Sequence, residues 1–230
     1  MKPRSKGSQP QRLLCLSRCL VFLVIGFAAA DQSSATPGVV MFNFDQDTVG
    51  QTPAGFTSYA TGGEPAGIWV VQKMAEAPSG KRVVVQTGAN DTDKRFPVLI
   101  ADKEAYADVD VSVQGKAITG KVDQGIGLVF RFSDPQSYYV VRANALEDNF
   151  RLYKMVDGRR IQIAGSDIKV TIGQWHTLRA VAQGEHIVCS FDGQQIIDVQ
   201  DATYTKGKVG LWTKADSVTA FNAFTYGEKK

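Results

Sequence analysis

Cysteine, histidine and helical periodicity are all scarce in this chain, and each shortage excludes something. Of three cysteines, Cys15 and Cys19 lie near the N-terminus and only Cys189 lies in the remaining chain. A processed chain holding Cys189 alone can form no intrachain disulfide and no cysteine-based zinc site. Cys189 stands between Val188 and Phe191 in an apolar strand pattern, which reads as packing rather than a reactive thiol. The two histidines, His176 and His186, have no metal-ligand spacing. No window of a dozen residues carries a sustained apolar period of 3.6, so a parallel βαβ architecture is not expected.

Acidic residues are absent from the first thirty positions, which hold Lys2, Arg4, Lys6, Arg12 and Arg18. Five of the 26 basic residues lie there and none of the 23 acidic ones, so residues 31–230 keep 21 against 23, a net −2. The formal charge of +3 therefore belongs to the leader and not to the working domain. The basic stretch is followed by the apolar run 19–27 and by Ala28-Ala29-Ala30, the parts of a secretory signal. That run is about half the ~20 residues a membrane span needs. We expect a signal peptide over 1–30 cleaved after Ala30, with an uncleaved tether as the alternative, and a secreted or periplasmic protein without a stable membrane span. A slightly acidic domain lacking interleaved aromatics gives no expectation of nucleic-acid binding.

After a polar linker, 31–38, short β-rich segments follow one another over 39–227. They fall at 39–44, 67–71, 82–86, 98–100, 108–113, 125–132, 138–145, 150–156, 175–183, 187–191, 195–199, 209–213 and 220–226. Asp157-Gly158 and Asp192-Gly193 are pairs favoured in two-residue hairpin turns. Residues 50–66 and 87–97 read as rim loops. About thirteen strands at this spacing predict one all-β domain, a two-sheet antiparallel sandwich.

Two stretches carry a family resemblance. The first is Phe-Asn-Phe-Asp-Gln-Asp-Thr-Val-Gly-Gln-Thr-Pro-Ala-Gly-Phe over 42–56. The second runs through Gly-Leu-Val-Phe-Arg-Phe at 127–132, Tyr-Tyr-Val-Val-Arg-Ala-Asn at 138–144, Gly-Gln-Trp-His-Thr-Leu at 173–178 and Gly-Lys-Val-Gly-Leu-Trp-Thr at 207–213. Together they resemble the concanavalin A-like lectin/glucanase jelly roll, in its laminin-G-like and 3-keto-disaccharide-hydrolase-like bacterial branch. The resemblance implies a jelly-roll sandwich, and one fold hosts many activities. It leaves three readings: an exported, non-catalytic carbohydrate-binding domain, which leads; a hydrolase of the 3-keto-disaccharide type; and a laminin-G-like adhesion or structural module. No catalytic residue is assigned and no oligomeric state is implied.

The Glu-x-Asp-x-x-Glu strand of family-16 glucanases is missing. Asp108 and Asp110 sit at i and i+2 on one strand face, without a nearby Glu, and read as an acidic solvent face. The 3-keto branch implies removal of the acidic C2 hydrogen by a base, with an electrostatic partner for the enolate. His176 and His186 are the histidine candidates, and both read as strand-end hydrogen-bonding residues. Strand alternation places Arg131, Arg142, Asn144, Arg151 and Tyr153 on one sheet face, with Trp212 and Lys214 as further members. Arginine and asparagine supply donors for sugar hydroxyls or uronate carboxylates, and an aromatic ring offers a platform for a sugar. These residues form the candidate carbohydrate site. No cofactor or catalytic metal is expected. A structural calcium ion near Asp45 and Asp47 is the one metal considered, and the C-terminal position that often supplies its aspartate is Asn222 here.

Overall fold

A computed structural model describes residues 38–62 and 65–229. The expected signal, 1–30, lies outside the described residues, as does the linker up to residue 37. Fifteen strands and no helix form among the described residues. They begin with β1 (Val40–Phe42), β2 (Phe56–Thr61), β3 (Trp69–Lys73), β4 (Arg82–Gln86) and β5 (Phe96–Ala101). The middle of the chain gives β6 (Val109–Thr119), β7 (Gly125–Asp134), β8 (Ser137–Asn144), β9 (Asn149–Val156) and β10 (Arg159–Asp167). The last five are β11 (His176–Gln183), β12 (His186–Phe191), β13 (Gln194–Gln200), β14 (Lys208–Trp212) and β15 (Val218–Glu228).

Two antiparallel sheets result, as the segment pattern predicts. The first runs β13-β12-β11-β6-β15-β4-β3, with β1 added on β15, and the second runs β10-β9-β8-β7-β14-β5-β2. Asp157-Gly158 and Asp192-Gly193 turn β9 into β10 and β12 into β13, all four residues having positive φ of 47 to 81°. That backbone suits the right-handed twist of hairpins and explains the Asp-Gly pairs.

The main core lies between the sheets. β6 alternates cleanly, with Val109, Val111 and Val113 buried against Leu128, Phe130 and Val141 of the facing sheet. Its intervening Asp110, Ser112 and Gln114 are only partly covered. The second sheet behaves differently. Every residue of β5 and nearly all of β7 and β8 are buried, so both faces of this sheet are covered. Its outer face carries a second apolar cluster that includes Phe96, Val98, Val129, Val140, Met155 and Trp212.

Curvature covers that face. The Thr61 hydroxyl at the end of β2 donates to Pro135 O in the β7–β8 turn and receives the Tyr138 hydroxyl at 2.7 Å. β2 and β8 are separated by β5, β14 and β7 in the sheet order, so this contact requires the sheet to curl over its own outer face. Burying a ring the size of Trp212 in such a cup contributes about 2–3 kcal/mol.

Two strands depart from the expected pattern. β2 lies where a rim loop is expected, and β10 falls in a segment to which no strand is assigned. Both are edge strands. In β10 a register shift between Gln162 and Ala164 breaks the alternation, and its burial follows no period of two.

Candidate functional site

The outer face of the second sheet keeps one open end. There a cleft of about 420 Å³ is lined by Gly62, Asp93, Lys94, Phe96, Gly158, Arg159, Arg160 and Lys214. Aromatic rings back it, Phe96 in the lining and Tyr153 and Trp212 buried behind. Phe96 and Trp212 stack with ring centres 5.5 Å apart and planes 17° apart. The Arg160 guanidinium lies 4.6 Å from the centre of the Tyr153 ring, 5.1 Å from Phe96 and 6.0 Å from Trp212. A guanidinium is planar and stacks on aromatic faces, so three rings fix its orientation. Gly127 makes room for this floor, since a side-chain carbon on it meets the Trp212 ring at 2.7 Å.

Arg142 and Lys214 flank the floor through a shared carboxylate. Arg142 Nη1 is 3.3 Å, and Lys214 Nζ 3.2 Å, from Oδ2 of the fully buried Asp123. Lys214 also pairs with Asp93 at the mouth of the cleft. Arg142 Nη2 donates to Glu147 at 2.7 Å and to Asn149 at 2.8 Å, and its guanidinium lies 5.7 Å from the Tyr153 ring centre.

The charges tune one another. Burial pushes the Asp123 carboxyl above the usual aspartate range, against the pull of Arg142 and Lys214. The hydrogen bond from Lys214 holds Asp93 below its usual value. Burial raises Glu147 as well, but its bonds from Asn149 and Arg142 outweigh that and leave it lowered. Burial lowers Arg160, which forms no ion pair among the described residues.

The residues expected to share this face separate into three groups. Arg142, Tyr153 and Trp212 meet in the buried layer behind the cleft lining. Arg151 and Asn144 belong to the same sheet but stand away from the cleft lining. Arg151 runs across Gly165 to pair with the exposed Asp167, and Asn144 Oδ1 accepts the N–H groups of Leu146 and Glu147 in the β8–β9 turn. Arg131 must be removed from the face altogether. It sits in a β7 bulge at φ 49°, where Gly210 pairs with Val129 but Lys208 pairs with Phe132. The extra residue turns its buried guanidinium onto Ala107 O, Gly184 O and Tyr204 O at 2.7 to 3.0 Å. These carbonyls lie in connections leading into β6, β12 and β14, so Arg131 ties turns together.

The remaining candidates stand elsewhere. Asp110 pairs with Arg179 through two bonds on the first sheet, and Asp108 accepts the Gly184 N–H. His176 bonds Asp192 at 2.8 Å and stacks on Phe191, while His186 bonds Asp198 at 2.6 Å; neither lines the cleft. Asp45 accepts the N–H groups of Lys81 and Arg82, Asp47 accepts that of Ala54, and Asn222 accepts that of Ser79. Among the described residues, no group of three or more His, Cys, Asp or Glu is placed to hold a metal ion.

Arg160, Asp93, Phe96 and Asp123 are the site residues that the sequence reading omits. For Arg160 a signal was present: the Asp157-Gly158 turn demands a return strand, and Arg160 pairs with Met155 in it. Asp123 lies in a loop with no periodicity to mark it.

Residues 39–224 match the 3-keto-alpha-glucoside-1,2-lyase-like domain. The chain belongs to that family. Among solved structures, this lyase-like domain is similar to carbohydrate binding module CBM66 from Bacillus subtilis, at 17% identity and TM-score 0.61, covering 79% of this chain and 99% of that one. The Bacillus licheniformis beta-glucanase gives 12% identity and TM-score 0.54 over 85% of this chain and 100% of its own. A xylan beta-1,4-xylosidase from Bacillus halodurans gives 12% and 0.54, over 82% of this chain and 39% of that one. At these identities the likeness is one of fold, and the fold is the concanavalin A-like jelly roll. The search of curated proteins found no match.

Proposed function

We propose that this lyase-like domain belongs to an exported protein and binds a saccharide, without turning it over, in the cleft between Asp93, Arg160 and Lys214. The observation that carries the reading is a cleft lined by cationic donors in which Arg160 is held in place by the rings of Phe96, Tyr153 and Trp212, with Phe96 in the lining and the other two buried behind the guanidinium. Guanidinium and ammonium groups donate to sugar hydroxyls, and Phe96 adds an apolar contact to the cleft wall. The printed descriptions of the family and of the fold neighbours, which name a glucoside lyase-like domain, a carbohydrate binding module and a glucanase, lend support. The N-terminal signal pattern supports export.

A second reading, cleavage of a 3-keto-glycoside, has one specific observation in its favour. Asp93 stands in the cleft and the half-exposed Glu147 beside it, both held in the carboxylate form that a base requires. Against it, both carboxylates are already engaged by cations, and a lowered pKa makes a weaker base.

The test is calorimetric titration of the purified protein against a glycan panel, repeated with Tyr153→Leu, which keeps apolar bulk but removes the ring. Binding by the parent protein and at least a tenfold loss in the variant are expected, with the melting temperature as a folding control. Retained affinity in a folded Tyr153→Leu protein places the site elsewhere. Turnover of a 3-keto-glucoside, followed by release of the free sugar, establishes the second reading instead.

A further inference from the structure

We infer that the saccharide taken by this cleft is anionic, a uronic-acid sugar whose carboxylate is received by Arg160; the inference rests on the binding role proposed above.

The cations of the site are unequally occupied. Lys214 is committed to Asp93 and Asp123, and Arg142 to Asp123, Glu147 and Asn149. Among the described residues Arg160 makes no ion pair or hydrogen bond, and its buried Nη1 has no hydrogen-bond partner. Leaving a buried charged donor unsatisfied is costly, so an arginine held this way stores affinity for whatever completes it. Burial already lowers its pKa, the mark of a charge short of a counterpart. The guanidinium nonetheless stays protonated in water, so the missing partner is an anion or a strong acceptor.

The surroundings agree. Among the described residues, those lining the cleft include Lys94, Arg159, Arg160 and Lys214 against one acid, Asp93, in a domain whose overall balance is slightly acidic. A local excess of positive charge in a cleft with low-dielectric walls raises the local concentration of anionic ligand. Geometry then selects the kind of anion. A guanidinium fixed in plane by three rings offers its donors as a fork, which matches the two oxygens of a carboxylate. Phe96, which lines the cleft beside Arg160, offers the pyranose an apolar contact next to the carboxylate. A neutral sugar makes that contact but leaves the Arg160 charge without a counterpart.

The discriminating experiment compares galacturonate, glucuronate and mannuronate oligosaccharides with their methyl esters, titrated into the purified full protein. Esterification keeps the sugar and removes the charge. A charge-assisted bond to carboxylate corresponds to roughly a 10- to 100-fold change in Kd, so an ester deficit of that size is expected for at least one of the three sugars. Arg160→Lys, which keeps the charge and loses the fork, should weaken the acid roughly tenfold, and Arg159→Gln at the exposed neighbour roughly threefold or less. Equal affinity for acid and ester overturns the inference while leaving saccharide binding standing, as does unchanged affinity in folded Arg160→Lys. Absence of binding to acidic and neutral glycans alike overturns both. Should Arg160→Lys fail to fold, the acid–ester comparison on the unaltered protein decides.

Discussion

Arg142 Nη1 lies 3.3 Å from Asp123 Oδ2, with both side chains almost wholly out of solvent. Asp123 also faces Lys214 at 3.2 Å, so one buried carboxylate separates two buried cations beneath the cleft. Removing one partner of a buried pair typically costs 3–5 kcal/mol, because the remaining charge is left in low dielectric. Glu147 and Asp93 still serve the two cations here, which places Asp123→Ala near the lower end, at about 3 kcal/mol by urea unfolding. Lys214→Met in the Asp123→Asn background should recover part of the loss, with a coupling above about 1 kcal/mol in the double-mutant cycle. Strict additivity shows that the two charges do not interact.

Acid sensitivity should be traceable to Asp216. Its carboxylate accepts the N–H groups of Lys121, Val122 and Asp123 at 2.6 to 3.2 Å, and so holds the loop that presents Asp123. Burial alone raises its pKa, but these bonds outweigh burial and leave it below the usual aspartate value of 3.8. A depressed folded pKa means stability that is complete above 3.8 and lost as pH falls through the folded value. Asp216→Asn should therefore cost about 1–2 kcal/mol at pH 7 and progressively less below pH 3.8, measured by thermal unfolding across pH. A deficit that stays constant down to pH 2 contradicts this assignment.

Arg131 separates stability from binding. Its four bonds to Ala107, Gly184 and Tyr204 carbonyls tie together connections that do not line the cleft. Arg131→Met keeps the length of the stem and deletes every donor, leaving three carbonyls short of partners, at a cost of about 2–4 kcal/mol. The saccharide affinity of the folded fraction, measured well below the melting temperature, should match that of the parent protein. A binding loss equal to that of Tyr153→Leu returns Arg131 to the site.

These residues also mark how far the chain could be read in advance. Thirteen segments carried enough β-branched and aromatic residues, and enough bounding Gly and Asp, to be seen as strands, and Arg142, Tyr153 and Trp212 followed from simple alternation. Alternation fails where an extra residue enters a strand. Arg131 was misplaced because a bulge has no local signature when the extra residue is not glycine, and β10 was missed because its own bulge and exposed edge erase the period of two. Asp93 and Asp123 were invisible for another reason. Their roles depend on contacts with Lys214 at sequence separations of 121 and 91, which only the closed sandwich brings together.

Gly127 offers the sharpest control on the aromatic floor. Its neighbours in the sheet are Trp212 on β14 and Arg142 on β8, and the Trp212 indole lies flat across it. A methyl group at this position meets Trp212 side-chain carbons at 2.7 and 2.8 Å and the Trp212 carbonyl oxygen at 2.8 Å, closer than such contacts are found. The ring cannot yield cheaply, because it is stacked on Phe96 and supports Arg160 from below. Gly127→Ala should thus cost about 1–3 kcal/mol through overpacking and also shift the floor under Arg160. The same substitution at Gly173, whose φ of 76° is strained for alanine but whose surroundings are open, costs stability without touching the floor. Saccharide affinity should therefore fall in folded Gly127→Ala and hold in Gly173→Ala, at similar losses of melting temperature. Equal affinity in the two variants rules out the buried Trp212 ring as a support for the binding surface.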